Sequence, residues 1–258
     1  MVKLIYCLRR LPHLSREEFQ RYWREHHGPL VVSVKDVNKI RRYVQSHTIW
    51  DERQEAQRVA LGRPEPFDGV AELWWDSAEE FTPQNRTPER QQAGTLLQTD
   101  EMKFIDLPRS PLWLAEEYPV ITDIPNAGES AKPDKRVKIV YCGRGLPGQD
   151  RSQMQSYWRN NHAPLVKSFA GVLSIRRYVQ SHTKYDEINE RMRAPQNRPP
   201  AFDGVAELWW DSIEERLPVN PDPERIKAGQ VLFEDEKKFV DHAQSPNFLT
   251  REWVFIDR

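Results

Sequence analysis

Cysteine is scarce in this chain. Cys7 and Cys142 are its only two, which gives neither a disulfide framework nor the paired spacing of a zinc site. No apolar run approaches the length needed to cross a bilayer, and the opening MVKLIYCLRR lacks the h-region and cleavage site of a signal peptide. No excess of one charge exists either: 38 Lys and Arg stand against 39 Asp and Glu, a formal charge of -1. The basic footprint of a nucleic-acid binder is therefore missing. Glycine-rich phosphate loops, dinucleotide fingerprints and a G-x-S-x-G elbow are absent too. These absences predict a cytoplasmic, globular protein with no nucleic-acid or membrane partner. Tryptophan, by contrast, is plentiful. Nine of them exceed what a plain core requires and favour a flat apolar cavity.

The organising stretch is SREEFQRYWREHHGPLVVSV, Ser15–Val34, with its partner DRSQMQSYWRNNHAPLVKSF at Asp150–Phe169. Ser15 followed by Glu18, and Asp150 followed by Gln153, are capping boxes that start a helix. Phe19, Tyr22, Trp23, His26, Leu30 and Val31 recur near helical spacing and predict one inward stripe. His27 lies one turn after Trp23. Pro29 removes the hydrogen bond to the Glu25 carbonyl and is expected to kink or end the helix there.

The same register shift, 135 residues, relates Cys7 to Cys142 and His27 to His162. It carries RRYVQSHT at Arg41–Thr48 onto Arg176–Thr183 and FDGVAELWWDS at Phe67–Ser77 onto Phe202–Ser212. A constant shift over such a length means that a whole domain was duplicated, since a solenoid would repeat every 20–50 residues. The expected organisation is a first domain over 1–117, a linker over 118–136 and a second domain over 137–258.

Within one half, Val2–Leu8 predicts a strand, and the helix just described follows. Val37–Trp50 predicts a second strand with Arg41, Tyr43, Gln45 and His47 on one face. Asp51–Leu61 predicts a short helix in a connection long enough to form a lid. Phe67–Trp75 predicts a third strand, with Ala71, Leu73 and Trp75 opposite Val70, Glu72 and Trp74. Ser77–Gln98 reads as a helix interrupted by Pro83 and Pro88, and Lys103–Leu107 as a fourth strand. The order β-α-β-β-α-β is the split pattern of a ferredoxin-like sandwich. Its helices cover one sheet face only, so the other needs a partner. The second half supplies it. The expectation is an α+β chain of two fused ferredoxin-like domains, forming an intrachain, pseudo-dimeric, eight-stranded α+β barrel.

In both copies, YWREHHGPLV or YWRNNHAPLV, RRYVQSHT, FDGVAELWWDS and DEMKFIDL or DEKKFVD occur in the same order. This set resembles the EthD domain family of the dimeric α+β-barrel superfamily. Family members are usually single domains that pair as homodimers, so the chain resembles a fused dimer. The resemblance implies a pocket between the sheet and the helices of each half. It also implies small-molecule chemistry like that of its relatives. One is a cofactor-independent methylmuconolactone isomerase; others are cofactor-free oxygenases, heme-binding enzymes and polyketide tailoring enzymes. His27 and Tyr43 match site residues of that isomerase. Leu73 stands where it has a cysteine, so its exact chemistry does not carry over.

The residues themselves nominate His27 and His162 as proton-transfer groups, because imidazole accepts and donates protons near neutrality. Tyr43 and His47, with Tyr178 and His182, share a strand face and complete the expected catalytic set. Gln45 and Gln180 are placed to orient a carbonyl. Trp23, Leu73 and Trp75, with Trp158, Leu208 and Trp210, are expected walls. Arg41 and Arg176 are candidates for a substrate carboxylate. Glu72 and Glu207 point to the other face, where a buried carboxylate needs a partner and Arg42 or Arg177 has the right parity. His26 has no equivalent, since Asn161 stands there. No metal or cofactor is expected, as the histidines lack zinc-helix spacing, although heme ligation by one histidine stays open.

The leading expectation is a cofactor-independent lyase or isomerase acting on a small apolar or aromatic metabolite that carries an oxygen function. A cofactor-free monooxygenase and a non-catalytic small-molecule carrier are the alternatives. A monomer is the simplest oligomeric state, with a homodimer the other choice.

Overall fold

The computed structural model describes residues 1–122 and 136–257. β1 (Val2–Leu8) is the expected apolar strand. Ser15 then caps α1 (Arg16–Tyr22): its hydroxyl accepts the Glu18 amide, and the Glu18 carboxylate accepts the Ser15 amide. The helix does not end at Pro29. Trp23–His27 widens into a π-helical turn, where the Gly28 amide reaches the Trp23 carbonyl, and α2 (Gly28–Ser33) continues the rod. The wider turn accommodates the donor that Pro29 lacks. His27 is buried there, while His26, which falls near the stripe but lacks a counterpart in the second half and so reads as a helix-surface group, is exposed.

β2 (Arg42–Thr48) starts later than the predicted Val37, because residues 34–39 complete a turn. α3 (Glu52–Ala60) is capped by Asp51, and β3 (Gly69–Trp75) follows. The predicted Ser77–Gln98 helix divides at its prolines. Ala78–Phe81 and Pro83–Asn85 are 3-10 turns, and α4 is Pro88–Glu101, with Pro88 in the first turn, where its missing N–H costs nothing. Lys103–Leu107 is not a strand. Ile105 makes only an isolated bridge to Arg10, and Phe104 and Ile105 plug the core. The fourth strand is β4 (Leu112–Ile121). Its tail of two glutamates and a proline reads as linker when taken alone.

The second half repeats the plan as β5 (Val137–Gly143), α5 (Arg151–Tyr157), a π-turn at Trp158–His162 and α6 (Ala163–Ser168). β6 (Arg177–Thr183), α7 (Asp186–Arg193), β7 (Gly204–Trp210), α8 (Ile213–Arg216), α9 (Pro223–Glu236) and β8 (Asn247–Asp257) complete it.

All eight strands close into one antiparallel barrel in the order β1-β3-β2-β8-β5-β7-β6-β4. Two separate sheets laid back to back would leave edges, and the last strand of each half removes them by changing partner. β4 pairs with β1 from Leu112 to Ala115 and then with β6 as far as Ile121. β8 passes in the same way from β5 to β2. Tyr118–Ile121, the first residues of the expected linker, thus belong to β4. Its register shifts beyond Pro119, as suits a residue without an amide donor. The remainder of that linker, 123–135, lies outside the described residues.

Strand alternation creates three cores. Ile5, Cys7, Val70 and Trp113 meet Val140, Cys142, Val205 and Phe248 inside the barrel. Tyr43, Ala71 and Trp75, and their counterparts, face the helices of their own half. The two free thiols, Cys7 and Cys142, lie 3.7 Å apart in the interior.

The polar centre of the barrel differs from expectation. Glu72 and Glu207 are buried, but their cationic partners are lysines. Lys3 Nζ lies 2.8 Å from Glu72 and 2.5 Å from Glu207, and Lys138 Nζ 2.5 Å from Glu72 and 3.1 Å from Glu207. Glu117 and Glu252 complete the set at 3.1 and 2.8 Å. Arg42, the expected partner, instead reaches Asp257 at 3.3 Å and covers the Trp74 ring. Burial alone would lower the Lys3 pKa, but Glu207, Glu72 and Glu117 outweigh it and hold the ammonium firmly protonated. For Glu72, Lys138 and Lys3 likewise overcome burial and hold the carboxylate well below its usual range. Burial and the Glu72 charge push Glu207 the other way. Since the two glutamates are near-equivalent, one low and one high proton affinity belong to the pair rather than to either residue.

Removing one cation leaves buried carboxylates uncompensated. Lys138→Met is expected to cost about 3–5 kcal/mol in urea unfolding, whereas Arg42→Ala, at the half-open rim, costs about 1 kcal/mol or less. Equal losses would contradict this assignment of partners.

Candidate functional site

The helical face of the second-half sheet encloses a chamber of about 80 Å³ bordered by Trp158, His162, Tyr178, Leu208, Glu236 and Phe239. The π-turn brings Trp158 and His162 to it. Gly204 on β7 lets the indole lie against the strand, since a Cβ there would come within 2.7 Å of the Trp158 ring. His162 Nδ1 lies 2.8 Å from Asp235 Oδ2, while Tyr157 and Lys238 donate to Oδ1 at 2.7 and 2.8 Å. The first half repeats the arrangement, with His27 Nδ1 2.9 Å from Asp100, which also accepts from Tyr22 and Lys103. Burial works against ionisation of Asp235, but the bonds from Lys238, His162 and Tyr157 win and hold it below the usual aspartate range. An ionised aspartate accepts only. The proton on that side therefore sits on Nδ1, and Nε2 is the ring nitrogen that Asp235 does not engage.

Tyr178 presents a hydroxyl that accepts from Trp158 Nε1 and from Gln180 Nε2, both at 2.8 Å. Its own proton remains to be donated. Burial raises its pKa, so the phenol stays neutral. Tyr43 is held in the same way by Trp23 and Gln45 at 3.1 and 2.8 Å.

Several expected site residues stand elsewhere. His47 and His182 do not face the ligand space. Each ring stacks on a tryptophan, His47 on Trp23 with centroids 4.5 Å apart and His182 on Trp158 at 5.0 Å. Their Nε2 atoms are bound to Gln45 and Gln180 at 2.8 and 3.0 Å. Burial pushes both imidazoles down to about 3. Gln45 and Gln180 are spent on histidine, tyrosine and a helix carbonyl, which leaves no group for a substrate. These residues support the tyrosine from behind, through a His–Gln–Tyr chain. Arg41 and Arg176 are bound to Asp76 and Asp211 at 2.5 and 2.9 Å on the outer surface, away from the chamber. Leu208 and Trp210 do line ligand space, whereas Leu73 and Trp75 pack in the first-half core.

Beyond the chamber a cleft of about 670 Å³ opens, sharing Tyr141, Leu208, Leu232 and Glu236 with it. The lid expected from the Asp51–Leu61 segment exists, but α3 covers the cleft of the opposite half: Arg53, Gln57 and Arg63 line it beside Trp210 and Arg216. A benzene-sized body needs a cavity of about 150 Å³, so the chamber admits only the end of a ligand whose remainder occupies the cleft. A porphyrin does not fit beside His162. No cluster of potential metal ligands occurs among the described residues, and none of their helices is long and apolar enough to cross a membrane.

Sequence reasoning missed Asp100 and Asp235, the partners that define the histidines. The signal was present, because DEMKF at Asp100–Phe104 recurs as DEKKF at Asp235–Phe239, but nothing in the local pattern links either aspartate to a histidine 73 residues away. Arg63 and Arg198, which cross between halves, carried no local signal.

Gly204→Ala is expected to displace Trp158 and cost about 1–3 kcal/mol, measured by thermal or urea unfolding. Because the folded-state pKa of Asp235 is depressed, its ionic contribution to stability is complete near neutrality and fades only as pH falls below about 4. Asp235→Asn should flatten that part of the pH–stability curve; an unchanged curve would rule out an ionised aspartate there.

No curated protein matches the sequence. Among solved structures, a candidate monooxygenase of Fusobacterium nucleatum subsp. nucleatum aligns over 98% of this chain and 92% of its own, with a TM-score of 0.50 at 8% identity. A candidate monooxygenase of Lactobacillus acidophilus aligns over 98% and 93%, with a TM-score of 0.46 at 7% identity. At such identities the first likeness concerns the fold alone. The EthD domain pattern matches twice, over residues 11–108 and 146–243. With both matches following the duplicated register and together spanning most of its length, this chain belongs to the EthD domain family, as a tandem pair within one polypeptide.

Proposed function

We propose that the protein is an enzyme that moves protons on a small apolar or aromatic molecule bearing a carbonyl, hydroxyl or lactone oxygen. The class is a cofactor-independent lyase or isomerase. The observation that carries this reading is the 2.8 Å bond from His162 Nδ1 to Asp235, which leaves the opposite ring nitrogen to a partly apolar chamber. There Nε2 takes a proton from the carbon next to a ketone or lactone carbonyl, the C–H electron pair forms the new carbon–carbon double bond, and the carbonyl π pair moves onto the oxygen. Tyr178, with a proton to donate, stabilises that oxyanion. Return of the proton to another carbon completes an isomerisation, and loss of a β-substituent completes an elimination. Trp158 offers a flat wall against which the reacting end of the ligand is held near the base. His27 and Tyr43 reproduce this set in the first half, and His182 and His47 act as positioning residues through glutamine.

The test is deuterium wash-in beside the carbonyl of a panel of aryl ketones and lactones in D2O, followed by NMR. His162→Ala is expected to remove the second half's share of exchange, and His162→Ala with His27→Ala to lower exchange by about 10²-fold or more, with the circular-dichroism spectrum retained. Exchange at the wild-type rate in the double variant would remove the catalytic assignment. The name of the Fusobacterium neighbour favours a second reading, a cofactor-free monooxygenase; substrate-dependent oxygen consumption would select it. Binding of the panel without product would select a carrier.

A further inference from the structure

The two halves share their catalytic candidates but not the surroundings. At the mouth of the second-half cleft stand Arg53, Gln57, Arg216 and Asn247. At the matching first-half positions, 135 residues away, stand Ile188, Met192, Phe81 and Leu112. All four pack against the first-half core, where Phe81 meets Trp75 edge-on with centroids 4.8 Å apart. At these four positions apolar groups pack in the first half and polar or cationic groups line the second-half cleft, while elsewhere the lining differs the other way, as at Leu61, Leu173, Ile226 and Phe233 against Gln196, Asn38, Gln91 and Gln98.

The arginines of the second-half mouth are incompletely neutralised. Arg53 pairs with Asp51 at 2.7 Å and Arg58 with Glu55 at 2.6 Å. Arg225 is held at its cleft by backbone carbonyls, including that of Val172 at 3.1 Å, whereas its counterpart Arg90 pairs with the Glu80 carboxylate at 2.8 Å. Arg216 lies over the Trp210 ring, 5.1 Å from its centroid, and its buried Nε has no hydrogen-bond partner among the described residues. Burial, with the Arg225 and Arg63 charges nearby, pushes Arg216 down to about 10. Arg63 is more than nine-tenths buried. One of its nitrogens reaches Glu236 at 3.4 Å, but Nη1 has no partner. In the first half the same nitrogen of Arg198 is satisfied by the Tyr6 hydroxyl and the Ser110 carbonyl, at 2.6 and 3.1 Å. In this half His242 replaces Leu107 and bonds the Tyr141 hydroxyl at 3.0 Å, while the Arg63 guanidinium lies over the Tyr141 ring, 4.5 Å from its centroid.

We propose that the duplicated sites have diverged, that the second half holds the ligand site, and that its ligand is an organic carboxylate. The apolar body lies in the cleft with its tip at the chamber beside His162, and the carboxylate is held at the mouth by Arg216 and Arg63. Glu236 meets one side of Arg63, but Nη1 of Arg63 and Nε of Arg216 remain without an acceptor, and a ligand carboxylate matches the open part of their planar forks. The cleft supplies the length between the two ends. This rests on the reading of the His162 chamber as the place where the ligand reacts.

The probe is 2-naphthoate, with the isosteric neutral 2-naphthamide as control, titrated calorimetrically into the full chain. One naphthoate per chain is expected, bound at least about tenfold more tightly than the amide, a step equivalent to about 1.4 kcal/mol. Arg216→Gln should weaken naphthoate about tenfold and leave the amide and the unfolding midpoint unchanged. His162→Ala should still bind naphthoate, so loss of proton exchange in that variant bears on catalysis alone. Two equal naphthoate sites, equal affinity for acid and amide, no binding of either, or indifference to Arg216→Gln would each overturn the proposal.

Discussion

Lys3 and Lys138 each touch Glu72 from one half and Glu207 from the other, at the centre of a barrel interior where Ser46 and Ser181 donate to the same carboxylates and an apolar cluster fills one end. Neither half assembles this centre alone. A single repeat would offer its lysine only its own two glutamates and leave an edge on its last strand. Closing the barrel adds the other half's glutamate to each lysine and pairs the edges, because β4 and β8 cross to the opposite half while Glu117 stays on Lys3 and Glu252 on Lys138. Buried ion clusters add little net stability against apolar packing, but breaking one is costly. The cluster thus fixes how the halves meet.

That constraint decides what the other sheet face can do. With the interior filled, each half has its helices over the outer face, and ligand space can form only between them. The π-turn is the local device that opens it. By accommodating Pro29 without ending the helix, it seats Trp23 and His27 on one side. The matching turn seats Trp158 and His162, where Asp235 holds the imidazole in one tautomer. The lid segments then cross between halves, so residues near the start of the chain complete a cleft built mainly from its end. Duplication followed by fusion makes such asymmetry possible. In a homodimer every substitution appears in both sites, whereas in one chain Phe81 and Arg216 can differ.

Most of the architecture was legible because it depends on short-range pattern. Alternation along Arg42–Thr48 and Gly69–Trp75 assigned each side chain to the helical or the barrel face, and the structure agrees for Tyr43, Ala71 and Trp75 on one side and Val70 and Glu72 on the other. Errors arose where pattern gave way to context. KFIDL has strand composition but serves as a core plug, and the strand beyond it was masked by glutamates that alternate toward the buried lysines. His47 resembled a catalytic group by parity, yet a tryptophan face and a glutamine already occupy it.

The sequence by itself determined the duplication, the order of elements, the helix caps and the faces of the strands, since these follow from residues a few positions apart. Only the tertiary structure decided that His27 meets Asp100, 73 residues on, and that Lys3 rather than Arg42 answers Glu72. It alone placed Arg63 in the opposite half's cleft. A buried charge takes whichever partner the closed barrel brings within hydrogen-bond reach. Parity along one strand cannot rank candidates on strands whose register is set by closure.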